Sequence, residues 1–426
     1  MNNFPLLKLN AEKNFLSVIV SFVENCCSSF NFTKKESRIL TMASEEIFSY
    51  LCKINRGCEI SVACNSKKYS MELLLQFDSK NFNPRAFNIT SKINIDDEKS
   101  LDEMGLLISS RMADSFSMRK ENNSILISVM KYRSYENITK LDYTPKNLTE
   151  TKIVVPENQD VLLIATLIEK YEKQENLHEV FKHSAMLTDI VSSGDMHARV
   201  LKGKNGLIAG GIFWKHIGND TIEMFGPYIY EQNNSEKFSK QLVENCLENI
   251  GKENHNGLLC RYPGKFFPEE YFEIIGNYYG NNIYYRELLE DVGTISWIHP
   301  ELKEYISSQY SKLFLPREII TISNIDETDN EYSVLSSGLN RSTKMVILKP
   351  MIFGKDFKTN LKEHINLFKS ENYNHVFFEI DMGQNWHSLF IPELLANDFT
   401  PSFILPYGGK GDLLVLQYIC NKKEEE

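Results

Sequence analysis

Along this chain the hydrophobic period switches repeatedly between that of a helix and that of a strand, and the order of the switches limits the architectures open to it. Residues 11–30, AEKNFLSVIVSFVENCCSSF, place Phe15, Val18, Ile19, Phe22, Val23 and Cys26 at i, i+3, i+4, i+7 spacing, which describes an amphipathic helix. KKESRILTMASEEIFSYLCKI repeats the pattern through Ile39, Met42, Ile47, Leu51 and Ile54, with Glu45 and Glu46 between the apolar positions. CEISVAC and YSMELLLQF then alternate as antiparallel strands. DSKNFNPRAF reads as a loop, LDEMGLLISSRMADSF as a helix, and SFSMRKENNSILISVMKY as a hairpin turning at ENNS. Two helices, two strands, a helix and two strands predict an α+β sandwich with the helices on one face of a mixed sheet.

At 426 residues the chain exceeds what one core serves. The polar segment YENITKLDYTPKNLTETK predicts a boundary, giving a first unit at 1–135, a linker at 136–152, and further units at 153–292 and 293–426. The second unit reads as two helices, VLLIATLIEKYEKQENL and EVFKHSAMLTDIVSSG, followed by strands HARVLKGKN, GLIAGGIFWKH and TIEMFGPYIY. A long helix SEKFSKQLVENCLENIGK, strand GLLCRYP, helix PEEYFEIIGN and strand NIYYRELLED complete it. A helix over 299–320 opens the third unit, which repeats the pattern in shortened form. FEIIGNYYGNNIYYREL and LFIPELLANDFTPSFILPY both read helix, turn, strand, the mark of a duplicated unit.

The net charge of −10 argues against a nucleic-acid footprint, which needs clustered Lys and Arg. No apolar run reaches the roughly 18 residues of a membrane span, and the N-terminus lacks a signal-peptide pattern, so a cytoplasmic location is expected. The eight cysteines include no CxxC pair and read as reduced core residues, with Cys26 facing in and Cys27 out, or the reverse. The nine histidines never fall at HxH or HExxH spacing, which gives no support for a metal site.

In the first unit, ASEEIFSYL, FDSKNFNP and LDEMGLLISSRMADSFSM together resemble the ATP-binding domain of anti-sigma-factor serine kinases, relatives of the gyrase and histidine-kinase ATPases. The resemblance covers about residues 10–132. It implies a GHKL-type α/β sandwich binding ATP·Mg²⁺, with Glu45 as base and Ser49 in the position of the metal-holding Asn. The adenine-recognising Asp falls on Phe77, and a one-residue shift brings Asp78 into place. Gly105 takes the second lid glycine, Glu103 stands where the first belongs, and Met112 and Asp114 match the lid helix. Ser49, Ser79 and Glu103 make the implied site a degenerate one. The resemblance also implies a protein partner, a sigma factor or an anti-sigma antagonist, and leaves a homodimer open.

ARVLKGKNGLIAGGIFWKH with TIEMFGPYIYEQNNSEKFSKQLVENCLENI resembles the central part of a GNAT N-acetyltransferase. That family's [QR]xxGx[GA] loop holds the CoA pyrophosphate at a helix N-terminus. On this chain Gln232 matches, Ser235 stands on the first Gly and Lys237 on the last. The resemblance implies acetyl-CoA as cofactor, with Glu223 on a strand suited to a catalytic base. The third unit resembles the C-terminal half of the same fold, and its glycine-dense YGGKGD reads as a hairpin turn. Asp381, Gln384, Trp386 and His387 lie beyond the strand HVFFEIDM and read as packed loop residues. The combined expectation is a regulatory protein with a degenerate kinase-like module fused to tandem GNAT-like units, acting by association. The alternative is an acyl-CoA-dependent N-acyltransferase with the first unit as sensor, and a third reading is a scaffold in which both folds serve binding alone.

Overall fold

The computed structural model describes residues 4–54, 56–78, 88, 90, 112–121, 124–135, 148, 150–173, 177–217, 221–231, 233–278, 280–323, 330–340 and 344–420. It is a mixed α/β molecule. Strands β1 (Leu6–Asn10), β2 (Glu59–Ser66), β3 (Ser70–Asp78), β4 (Ser115–Glu121) and β5 (Ser124–Tyr132) form an antiparallel sheet in the order β1-β2-β3-β5-β4. Helices α1 (Leu16–Ser29) and α2 (Lys34–Ile54) bury Ile19, Val23, Leu40, Ile47 and Leu51 in a core shared with Val62, Leu73, Leu75 and Ile127 of the sheet. A capping box starts α2: Thr33 N–H donates to Glu36 Oε2 at 2.7 Å and Glu36 N–H to Thr33 Oγ1 at 3.3 Å. Both cysteines of the vicinal pair are buried, against the expectation of one outward thiol, and Cys27 Sγ lies 3.4 Å from Met71 Sδ. Burial pushes the Cys27 thiol up to about 11, so the pair carries no thiolate near neutral pH.

Most strands among the remaining described residues build a twelve-stranded sheet. Its first half takes in β6 (Thr151–Val154), α3 (Asn158–Tyr171), α4 (Ser184–Ser192), β7 (His197–Gly203), β8 (Ile208–Ile217) and β9 (Thr221–Ile229). These are followed by α5 (Ser235–Ile250), β10 (Gly257–Tyr262), β11 (Glu273–Tyr278) and β12 (Asn281–Glu287). A small parallel pair, β13 (Thr294–Ile298) with β14 (Arg317–Thr321), flanks α6 (Lys303–Lys312). The second half of the large sheet contains β15 (Val334–Asn340), β16 (Met345–Ile352), α7 (Phe357–Ser370) and β17 (His375–Asp381). The short α8 (Ile391–Leu395), β18 (Thr400–Leu405) and β19 (Leu413–Ile419) complete it.

Strand order across the large sheet is β15-β16-β17-β19-β18-β11-β12-β10-β9-β8-β7-β6. Read outward from the centre, β11-β12-β10-β9-β8 and β18-β19-β17-β16-β15 follow the same path. In each, one parallel pair, β9 with β10 or β16 with β17, is bridged by a long helix, α5 or α7. The helix α5 covers the sheet with Phe238, Leu242, Val243, Cys246 and Ile250, all buried and at helical spacing.

Three sequence expectations fail locally. PEEYFEIIGN is a single 3-10 turn, Glu269–Tyr271, followed by strand β11, because pairing with β12 and β18 satisfies its backbone where a lone short helix would not. The predicted helix over 299–320 stops at Lys312, and its tail becomes β14. Residues Thr151 and Lys152, expected in the linker, already belong to β6. The N-terminal layer contacts both halves of the large sheet. Lys67 Nζ meets Asp195 at 2.7 Å, Tyr135 OH donates to Asp189 at 2.9 Å, and Val334 of β15 joins the N-terminal core.

The two halves meet at Gly276 of β11 opposite Phe403 of β18, and a Cβ at Gly276 would lie 2.4 Å from Ser402 O. Backbone on both sides leaves no room to yield. Gly276→Ala is expected to cost about 1–3 kcal/mol in chemical denaturation, and an unchanged midpoint would contradict this tight seam.

Candidate functional site

All nine residues of β9 are buried, and one of them is charged. Glu223 has no exposed side-chain surface, so its carboxylate must be neutralised inside the protein. Arg261 of β10 donates from Nε to Glu223 Oε1 at 2.7 Å, and Lys215 Nζ of β8 stands 3.7 Å from Oε2. The parallel pairing brings Arg261 there: β9 and β10 run in register from Gly257 opposite Thr221 to Leu259 opposite Glu223, then shift before Tyr262 faces Phe225. The shift puts an extra residue on β10 beside Glu223. Just beyond, Gly264 passes Pro227 so closely that a Cβ would sit 1.9 Å from its carbonyl oxygen.

His178 completes the cluster. It precedes the short 3-10 turn Glu179–Lys182, its Nδ1 accepts the Val180 N–H at 3.4 Å, and its Nε2 lies 3.3 Å from Lys215 Nζ. Phe225 and Tyr262 pack edge-on against its ring. Arg261 stacks over Tyr278 at 5.4 Å from the ring centre. Burial alone would raise the Glu223 carboxyl, but Arg261 and Lys215 outweigh it and hold it at about 2. Burial, reinforced by Lys215, pushes His178 down to about 3, so the imidazole is neutral at physiological pH. Burial also lowers Lys215, against the pull of Glu223. An ionised carboxylate, a guanidinium, a neutral imidazole and a lysine with reduced proton affinity thus meet where two parallel strands part. Such gatherings of perturbed groups occur at functional sites and in structural ion-pair networks alike. Glu223 faces the interior and is too weak a base to take a proton near neutral pH; its geometry suits orienting Arg261 and Lys215.

The start of α5 lies at the end of the same strand. Ser235 and Lys237, both predicted for anion binding, share its first turn, while Gln232 lies outside the described residues. Ser235 Oγ donates to the Glu231 carbonyl at 2.5 Å instead of pointing at a ligand. Lys237 is exposed. The N–H groups of Ser235, Glu236 and Lys237 have no acceptor within the helix, as in any first turn. Buried beside them, Glu231 accepts the Asn234 N–H on Oε2 at 2.7 Å, and its Oε1 has no hydrogen-bond partner among the described residues. The donors fit an anionic group, and the neighbouring carboxylates of Glu231 and Glu236 oppose it.

In the N-terminal layer Glu45 is exposed on α2, with Ser49 half-buried one turn on and Asp78 ending β3. Gly105, Glu103, Ser79 and the FNP loop lie outside the described residues. Asp114 accepts from Lys131 Nζ at 2.7 Å and Tyr132 N–H at 2.6 Å, a role in fastening β5. Asp78 belongs to a different sheet from the Glu223 cluster, and Glu45 and Ser49 lie on α2.

The glycine-rich YGGKGD is a turn, as expected. Asp381 accepts the N–H groups of Gly383, Lys410 and Gly411 and the Gln384 side-chain amide, so the donors hold an internal carboxylate. Gly409 is required there, because a Cβ would lie 2.6 Å from Asp381 Cγ. His387 is buried, its Nδ1 taking the Asp381 N–H at 3.0 Å. A second charge cluster fixes this end: Arg317 grips Asp412 at 2.6 and 3.1 Å and Asp291 at 2.7 Å.

No family model and no curated protein matches the chain. Among solved structures it is similar to a GNAT-family acetyltransferase from Staphylococcus aureus Mu50, with 15% identity, 33% of this chain and 99% of that one covered, and a TM-score of 0.27. A GNAT-family N-acetyltransferase from Escherichia coli in complex with CoA gives 14% identity, 33% and 83% coverage, and 0.26. An aminoglycoside 6′-N-acetyltransferase from Enterococcus faecium gives 7% identity, 64% and 99% coverage, and 0.24. Scores of this size carry no weight by themselves, and the fold rests on the strand order and the bridged parallel pairs. None of the three names a kinase-type ATPase or an anti-sigma factor. Among the described residues no helix is long and apolar enough to cross a membrane.

Replacing Arg261 with Gln leaves Glu223 buried without its main partner and is expected to cost about 3–5 kcal/mol. The double variant E223Q/R261Q recovers part of that loss, and strict additivity in a double-mutant cycle would contradict the pairing. His178 is a base whose folded value lies below its unfolded value near 6.5. Its contribution to stability is therefore complete above about pH 6.5 and is lost as pH falls toward 3. H178Q is expected to flatten the acid limb of a stability-versus-pH curve by about 1.4 kcal/mol per pH unit; an unchanged slope would show that His178 protonates freely.

Proposed function

We propose that β8, β9, β10 and the start of α5 form an acyl-transfer site of the kind GNAT N-acyltransferases carry, taking an acyl-CoA and an amine acceptor. The observation that carries this reading is the register break between β9 and β10 beside Glu223, Arg261, Lys215 and His178. Acyl-CoA would supply an acyl group activated as its thioester. The first-turn N–H groups of Ser235, Glu236 and Lys237, with the Lys237 ammonium, are the groups that would hold its pyrophosphate. Neutral His178, its Nε2 3.3 Å from Lys215 Nζ, is suited to orienting Lys215 at the acceptor amine, and the proton that the amine gives up on acylation ends on the departing CoA thiol. Glu223 is then a positioning residue that fixes Lys215 and Arg261.

A second reading, a non-catalytic scaffold that binds a protein partner, is favoured by Glu231. A buried carboxylate already accepts an N–H at the point where the pyrophosphate belongs. Calorimetric titration with acetyl-CoA separates the two. The acyltransferase reading predicts saturable binding that Lys237→Ala weakens about fivefold and Glu231→Gln strengthens by a similar factor, each roughly 1 kcal/mol at a helix N-terminus. Absence of binding to both the wild type and E231Q favours the scaffold.

A further inference from the structure

Away from that site, the opposite end of α5 gathers residues that nothing above uses. His216 follows Lys215 on β8 and so points to the other face of the sheet. The turn after α5 carries Glu253 and His255, fixed by Glu253 N–H to Ile250 O at 3.0 Å and His255 N–H to Glu253 O at 3.2 Å. His216 Nε2 lies 3.8 Å from Glu253 Oε2, and His255 Nε2 lies 2.7 Å from the same atom. The ligand-bearing atoms of the three residues all fall within 4.8 Å of one another.

We propose that His216, Glu253 and His255 form a site for a divalent d-block cation, Zn²⁺ foremost. Two imidazoles and one carboxylate are the donor set of many Zn²⁺ sites, and softer or harder ions suit it less well. Zn–N and Zn–O bonds of about 2.0–2.1 Å in a tetrahedron place neighbouring donor atoms about 3.3 Å apart. Small rotations of the three side chains reach that separation from the observed spacing. His216 and Glu253 are about half exposed and His255 is 11% exposed, so an ion enters from solvent without unfolding. The C-terminal end of α5 contributes a negative partial charge that favours a cation. The ring of His197 on β7 stands 6.0 Å from that of His216, and water would supply the fourth ligand. Bound there, the ion would tie the α5–β10 connection, which delivers Arg261, to the β7–β8 hairpin.

Sequence spacing concealed the site, since His216 and His255 come from different elements. The local sign was only the Glu253-x-His255 pair.

Titration of tag-free full-length protein with Co²⁺ alone tests the proposal through the visible d–d absorption of four-coordinate cobalt. A single saturable site that Zn²⁺ displaces is expected. H216A and H255A are expected to abolish it, and H183A, an exposed histidine on another element, to leave it intact. Should H216A fail to fold by circular dichroism, E253Q is expected to keep the fold and weaken binding at least about tenfold. No saturable binding, or binding unchanged in both H216A and E253Q, would overturn the proposal.

Discussion

A carboxylate with no exposed surface lies at the middle of the first half of the large sheet, and its neutralisation dictates what surrounds it. Glu223 requires a cation on each side, and its neighbours β8 and β10 supply Lys215 and Arg261. Arg261 arrives on β10, which lies beside β9 and parallel to it, and a parallel pair needs a crossover connection, here through α5. The register shift of β10 falls beside Glu223, where Arg261 Nε approaches to 2.7 Å. The same interaction that makes the core electrically tolerable thus lies at the candidate site.

Internal carboxylates recur wherever backbone N–H groups point inward. Glu231 takes the Asn234 N–H at the head of α5, and Asp381 takes three backbone N–H groups in and around the glycine-rich turn. Arg317, buried between Asp291 and Asp412, holds the corresponding end of the second half together. At Asp381 four donors converge, which closes that cradle to any outside anion. At α5 only one donor is taken, and three first-turn N–H groups remain. The two halves therefore differ in the backbone donors they leave free, despite their shared strand order.

Helices with a long amphipathic face, α1, α2, α5 and α7, were legible because the 3.6-residue period persists over three turns or more. Short segments were not: EIIGNY reads equally as a helix end or a strand, and only its partners β12 and β18 decide. Charged residues inside apolar strands were a usable sign. Glu223 in TIEMFGPYI marked the site, and Arg261 in GLLCRY carried the matching signal without being paired to it. His178, 45 positions before Glu223, and Lys215 meet it only through the fold, which no spacing rule reaches. Glu45, singled out by family resemblance, is exposed, in keeping with the ordinary solvated face of a helix.

Hydrogen–deuterium exchange with and without acetyl-CoA tests the central claim most directly, because it reads the backbone groups assigned to the ligand. Protection on adding acetyl-CoA is predicted at Ser235, Glu236 and Lys237 and along the facing segments of β9 and β10. Unchanged exchange there at saturating acetyl-CoA, or protection confined to other elements, would contradict the account.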